Sequence, residues 1–69
     1  MKPQETPLAA ARRHIEVADA RIAQQIECIA RLRGLGLPTE QAEHLLVLMR
    51  QSREAMAWHL GVLSKSTLE

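Results

Sequence analysis

Residues 33–46 read RGLGLPTEQAEHLL, and this stretch decides the fold. The chain on either side has helical periodicity; here Gly34, Gly36, Pro38 and Thr39 break it. A phosphate-binding loop would need a strand before it and a GK[ST] or GxGxxG pattern, and the stretch has neither. It reads instead as a corner. Gly34 stands just past the last periodic residue, where a left-handed cap is wanted. Leu35 or Leu37 can then fold back on the helix end. Thr39 is placed to cap a second helix whose first turn holds Glu40. A connection of about five residues suits antiparallel helical neighbours.

Backward from the corner, Leu8, Ile15, Ile22 and Ile29 recur every seven residues. Ala11, Ala18, Gln25 and Leu32 form the companion row, with Ile26 beside it. Together they make a heptad seam. Thr6-Pro7 is a helix start, a cap followed by a proline that needs no partner for its missing N–H. Arg31 and Arg33 complement the helix dipole in the last turn. Forward from the corner, the second seam is Ala42, Leu45, Leu46, Met49, Met56, Leu60 and Leu63. The pattern predicts an all-α hairpin over residues 7–66: helix 7–33, turn 34–38 and helix 39–65. Residues 1–6 are polar and expected to be flexible. Residues 67–69 form a tail, in which Leu68-Glu69 has the look of a junction to an affinity tag and is set aside.

A two-helix hairpin gives each helix one neighbour. On the second helix Val47, Leu48, Ala55, Trp58 and Val62 form another apolar strip, away from the seam. The polar sector with Glu43, Arg50, Arg53 and Glu54 is narrow. A helix apolar around so much of its circumference has more to cover than one neighbour can hide. The expected remedy is a homodimer, two hairpins closing into a four-helix bundle, with that strip at the interface and Trp58 buried between protomers. Gln25 is a polar residue in an aliphatic row. Either it belongs to a buried polar seam with Ser52, Arg53 or its symmetry mate as partner, or it lies at the wet margin.

The residues that could carry chemistry are poorly spaced for it. His14, His44 and His59 are not three or four apart from one another, and Cys28 has no second cysteine, so no metal or other cofactor is expected. No glutamate precedes a histidine by three residues, as a di-iron bundle would require. Cys28 lies away from a helix N-terminus, where its thiol would be activated. Ser52 and His59 are two helical turns apart, and no strained nucleophile elbow is visible. An interfacial pocket would need His59, Ser52 and Gln25 to converge.

The charge totals are close, nine basic residues against eight acidic ones, and the seven arginines are interleaved with acids. With one Trp and no Tyr or Phe, base stacking has almost no material, so nucleic acid is not an expected partner. It stays open as the alternative, a small nucleic-acid-associated regulator with arginines on one dimer face. No apolar run could span a bilayer, and the beginning does not resemble a signal peptide, so a cytoplasmic location is expected.

The segment RHIEVADARIAQQIECIARLRGLGLPTEQAEHLLVLM resembles a family of short, uncharacterised proteobacterial proteins read as helical hairpins. The shared pattern is an aliphatic row with one glutamine, Ile22, Gln25, Ile29 and Leu32. After it come a glycine turn at Gly36, then Thr39, Ala42 and the pair Leu45-Leu46. Pro38 stands where relatives of this kind would carry an acid. The resemblance implies a hairpin fold and transfers no activity, cofactor or catalytic residue. The expectation from sequence is therefore a non-enzymatic interaction or adaptor module, homodimeric, with an unidentified protein as a further partner.

Overall fold

The computed structural model describes residues 6–67. The expectations for residues 1–5 and for Leu68-Glu69 lie outside the described residues. Two α-helices make up the fold, α1 over Pro7–Gly34 and α2 over Glu40–Thr67. Each has 28 residues, a length of about 42 Å at 1.5 Å per residue. The helices run side by side and antiparallel. Arg33 pairs with Glu43 beside the turn, and Asp19 pairs with Arg53 farther down both helices.

α1 begins as its sequence dictates. Thr6 is extended (φ −67°, ψ 155°), and its Oγ1 accepts a hydrogen bond from the Ala9 N–H at 3.1 Å. Pro7 occupies the first turn, where no backbone donor is needed. α2 begins one residue later than expected, at Glu40, because Thr39 is the capping position. The Thr39 carbonyl accepts from the Glu43 N–H at 2.8 Å. α2 runs to Thr67, two residues past the expected end at 65.

The corner corrects one expectation. Gly34 is not the left-handed residue; it is the last residue of α1, and Leu35 follows in a near-helical conformation (φ −90°, ψ −2°). The left-handed residue is Gly36, at φ +71°. The reason is in the hydrogen bonds. The Leu37 N–H donates to the Leu32 carbonyl (2.9 Å) and the Gly36 N–H to the Arg33 carbonyl (3.0 Å). These nested bonds are the Schellman termination, which wants its left-handed residue one place after the C-cap. With Leu35 as the C-cap, that place is Gly36.

Packing along the seam is thin. Only Ala11, Ile15 and Ile29 are buried among the described residues, and no side chain there is fully buried. The molecule measures 53 × 28 × 12 Å, so its shortest dimension is one helix diameter. It is a single layer, whereas a stable core normally lies between two. Leu45, expected in the seam, is 48% exposed. At about 100° per residue it rotates away from α1, with Leu46 and Met49 on either side of the contact line.

Candidate protein-interaction face

The two broad sides of this ribbon differ in chemistry. One side carries the charged contacts between helices. Arg53 donates from Nε to Asp19 Oδ1 at 2.9 Å, with a longer second contact from the same guanidinium at 3.4 Å. The hydrogen bond and positive charge of Arg53 hold the Asp19 carboxyl below its ordinary range, partly opposed by desolvation. Arg33 pairs with Glu43 on the same side. A shallow groove there, about 260 Å³, is lined by Ile26, Ile29, Ala30, Arg33, Glu43, Leu46 and Arg50.

The other side holds a wider open groove of about 480 Å³. Its α1 wall is Arg13, His14, Val17, Ala18 and Arg21; its α2 wall is Leu48, Met49, Ser52 and Met56. No acidic residue lines it. Helical rotation continues this side along α2 through Leu45, Leu48, Ser52, Ala55, His59 and Val62, at spacings of three and four. The floor of the groove is therefore aliphatic and thioether, and its α1 rim is basic.

Each residue singled out from sequence can now be placed. Val47, Leu48, Ala55, Trp58 and Val62 are all exposed on the single hairpin, Trp58 the most at 73%. Leu48, Ala55 and Val62 belong to the groove side of α2. Val47 and Trp58 lie farther round, on its outer edge. Gln25 is half-buried, and its Nε2 donates to the Ala42 carbonyl at 2.9 Å. Within the hairpin neither Ser52 nor Arg53, two of the partners expected for it, takes this bond. Ser52 lies ten residues beyond Ala42 in α2, about 15 Å away at 1.5 Å per residue. On the single hairpin it is exposed at the groove. Arg53, the second expected partner, reaches Asp19 instead. The three residues that an interfacial catalytic pocket would need therefore do not converge within the hairpin.

Val17 is the one groove residue that sequence reading passed over. It is an isolated apolar residue between Arg13 and Arg21, 43% exposed, and only its position facing Leu48 across the groove gives it meaning. Cys28 is a free, exposed thiol. Among the described residues no group of three or more His, Cys, Asp or Glu side chains could hold a metal ion. No helix of the described residues is long and apolar enough to cross a membrane. No protein-family model, curated protein or solved structure matches the chain.

Proposed function

We propose that the chain is a non-enzymatic helical interaction module that acts as a homodimer, two hairpins closing into a four-helix bundle. One observation carries this reading. The 7.7 kDa chain exposes 5806 Å², whereas a compact monomer of that mass would expose about 4,300 Å². The excess, about 1,500 Å² per chain, is about 3,000 Å² for a pair, within the range of obligate homodimers. The surface in excess is apolar on one side, where Leu45, Leu48 and Val17 lie open. Burying such a side between two copies supplies the second layer that the hairpin lacks.

The adaptor role follows from what the dimer would leave outside. Trp58 and Val47 lie on the outer edge of α2, and an exposed Trp is a common anchor for a protein partner. The nucleic-acid alternative has less behind it. Arg33 and Arg53 are each paired with a carboxylate of the same hairpin, which removes two of the seven arginines from any common basic face.

Sedimentation equilibrium across the micromolar range tests the homodimer. A dimer that dissociates on dilution, with Leu48→Ala weakening it, is expected; a folded monomer throughout would refute it. For the adaptor role, capture from native lysate should return one protein reproducibly, and nucleic acid in its place would favour the alternative.

A further inference from the structure

We infer that the homodimer is gated by pH: it holds while His14 and His59 are neutral and comes apart as the pH falls below about 6. This rests on the homodimer reading, with the wide groove as the face that pairs, and adds what regulates it.

The observation is two histidines brought together on a face without acids. His14 lines the groove from α1, flanked by Arg13 and Arg21. His59 lies two turns of helix beyond Ser52, which brings it to the same side of α2. Stepping outward from the Asp19–Arg53 pair by equal amounts along both helices brings His59 level with Arg13, next to His14. The two imidazoles therefore stand on opposite walls at the end of the groove far from the turn. Every residue three or four positions from either histidine is Ala, Val, Leu or Met.

The carboxylates of the described residues point elsewhere. Asp19 and Glu43 are held in ion pairs on the other broad side. At about 100° per residue Glu54 shares the side of Glu43, Glu16 and Glu27 fall on the outer edge of α1, and Glu40 falls on that of α2. His44 differs from the other two histidines. It sits at the flank of the groove side with Glu40 one turn before it, placed to offset its charge.

On the single hairpin His14 and His59 are exposed, so water solvates a protonated ring. Between two hairpins it does not. A two-fold axis repeats one surface, so whichever way the copies run, each brings the same two imidazoles and Arg21 to the closed face. A protonated ring there loses water, gains no carboxylate and shares the face with other cations. A neutral ring meets none of these costs. The dimer therefore binds fewer protons than two free hairpins, and lowering the pH pulls the equilibrium towards the free hairpins.

Sedimentation equilibrium at about pH 7.5 and about pH 5.5 tests this. Kd should rise at least about tenfold at the lower pH, since each excluded proton contributes up to tenfold per pH unit. The double variant His14→Gln with His59→Gln should dimerise equally at both pH values. Each single variant should remove about half of the response, on a logarithmic scale. His44→Gln should leave it intact. A wild-type dimer with one Kd at both pH values would overturn the gating and leave the homodimer standing. A double variant that still dissociates in acid, or a response abolished by His44→Gln alone, would also overturn the gating. Wild-type protein that is monomeric at both pH values would overturn both readings. Calorimetric dilution of the wild type in buffers of different ionisation heat needs no variant: proton uptake on dissociation near pH 6 is expected, and its absence would refute the inference.

Discussion

The two glycines of the corner should respond in opposite directions to the same methyl group. Gly34 is helical, and a Cβ built on it meets nothing within 4 Å. Gly34→Ala should therefore recover the helical preference of Ala over Gly, about 0.5–1 kcal/mol. Gly36 is also sterically open, but its φ of +71° is left-handed. An L side chain there costs roughly 1–2 kcal/mol, and the lower entropy of the unfolded chain returns only about 0.4–1 kcal/mol of it. Gly36→Ala should lose about 1 kcal/mol net, because nothing else in the corner supplies the Schellman geometry. For a domain of this size each kcal/mol moves Tm by about 4–8 °C, so the two variants should fall on either side of the wild type. Gly61→Ala is the control. It is mid-helix with open space around it and should behave like Gly34→Ala. Circular dichroism melts at one fixed protein concentration suffice, since an associating chain has a concentration-dependent Tm. Two stabilised variants, or a Gly34→Ala that is the worse of the pair, would refute the assignment of Gly36 as the left-handed cap.

Two further outcomes follow from the contacts between helices. Gln25→Ala removes the bond to the Ala42 carbonyl, and urea denaturation should show a loss of about 1 kcal/mol; an unchanged midpoint would place Gln25 at a wet margin, with its bond worth nothing. The Asp19 carboxyl, held below its ordinary value by Arg53, contributes stability that is present above the unfolded pKa, near 3.9, and is lost as the pH falls through the lower folded value. Asp19→Asn should therefore flatten the acid limb of the stability curve while changing little at neutral pH, because the pair is exposed and screened; an acid limb identical to wild type would show that the pair carries none of it.

The hairpin was legible because its signals are local. The Leu8–Ile15–Ile22–Ile29 row, the Thr6-Pro7 start and the Gly-Pro-Thr corner each act over one or two turns of helix. What escaped depended on rotation or on pairing between helices. Leu45 and Leu46 are adjacent leucines, and sequence alone assigned both to the seam; only the packing direction turns Leu45 outward. Gly34 and Gly36 are both in reach of the helix end, and the choice between them lies in which carbonyls the next two N–H groups reach. Gln25 found its acceptor on the backbone of α2, a partner that no side-chain pattern can reveal. The face itself was half legible. The strip read from sequence reached Leu48, Ala55 and Val62, but Val17 needed the opposite wall of the groove to be in place.

The same thin packing that exposes the groove joins stability to partnership. A small domain has little stabilisation to spare, and most of what a hairpin can gain by burial is absent here, with three buried side chains among the described residues of two long helices. Each helix is far too long to be held by a corner and by exposed ion pairs such as Arg33–Glu43 and Asp19–Arg53, since such pairs contribute little in water. If the groove is filled by a second copy, the free energy of association is also free energy of folding, and the folded fraction rises with chain concentration. An adaptor built in this way would be ordered when its concentration suffices and marginal when dilute. Its outer edge, with Trp58 and Val47, would then be presented in fixed geometry only by the paired form. Binding of a further partner at that edge would be linked to dimerisation through shared folding energy, with no conformational switch required.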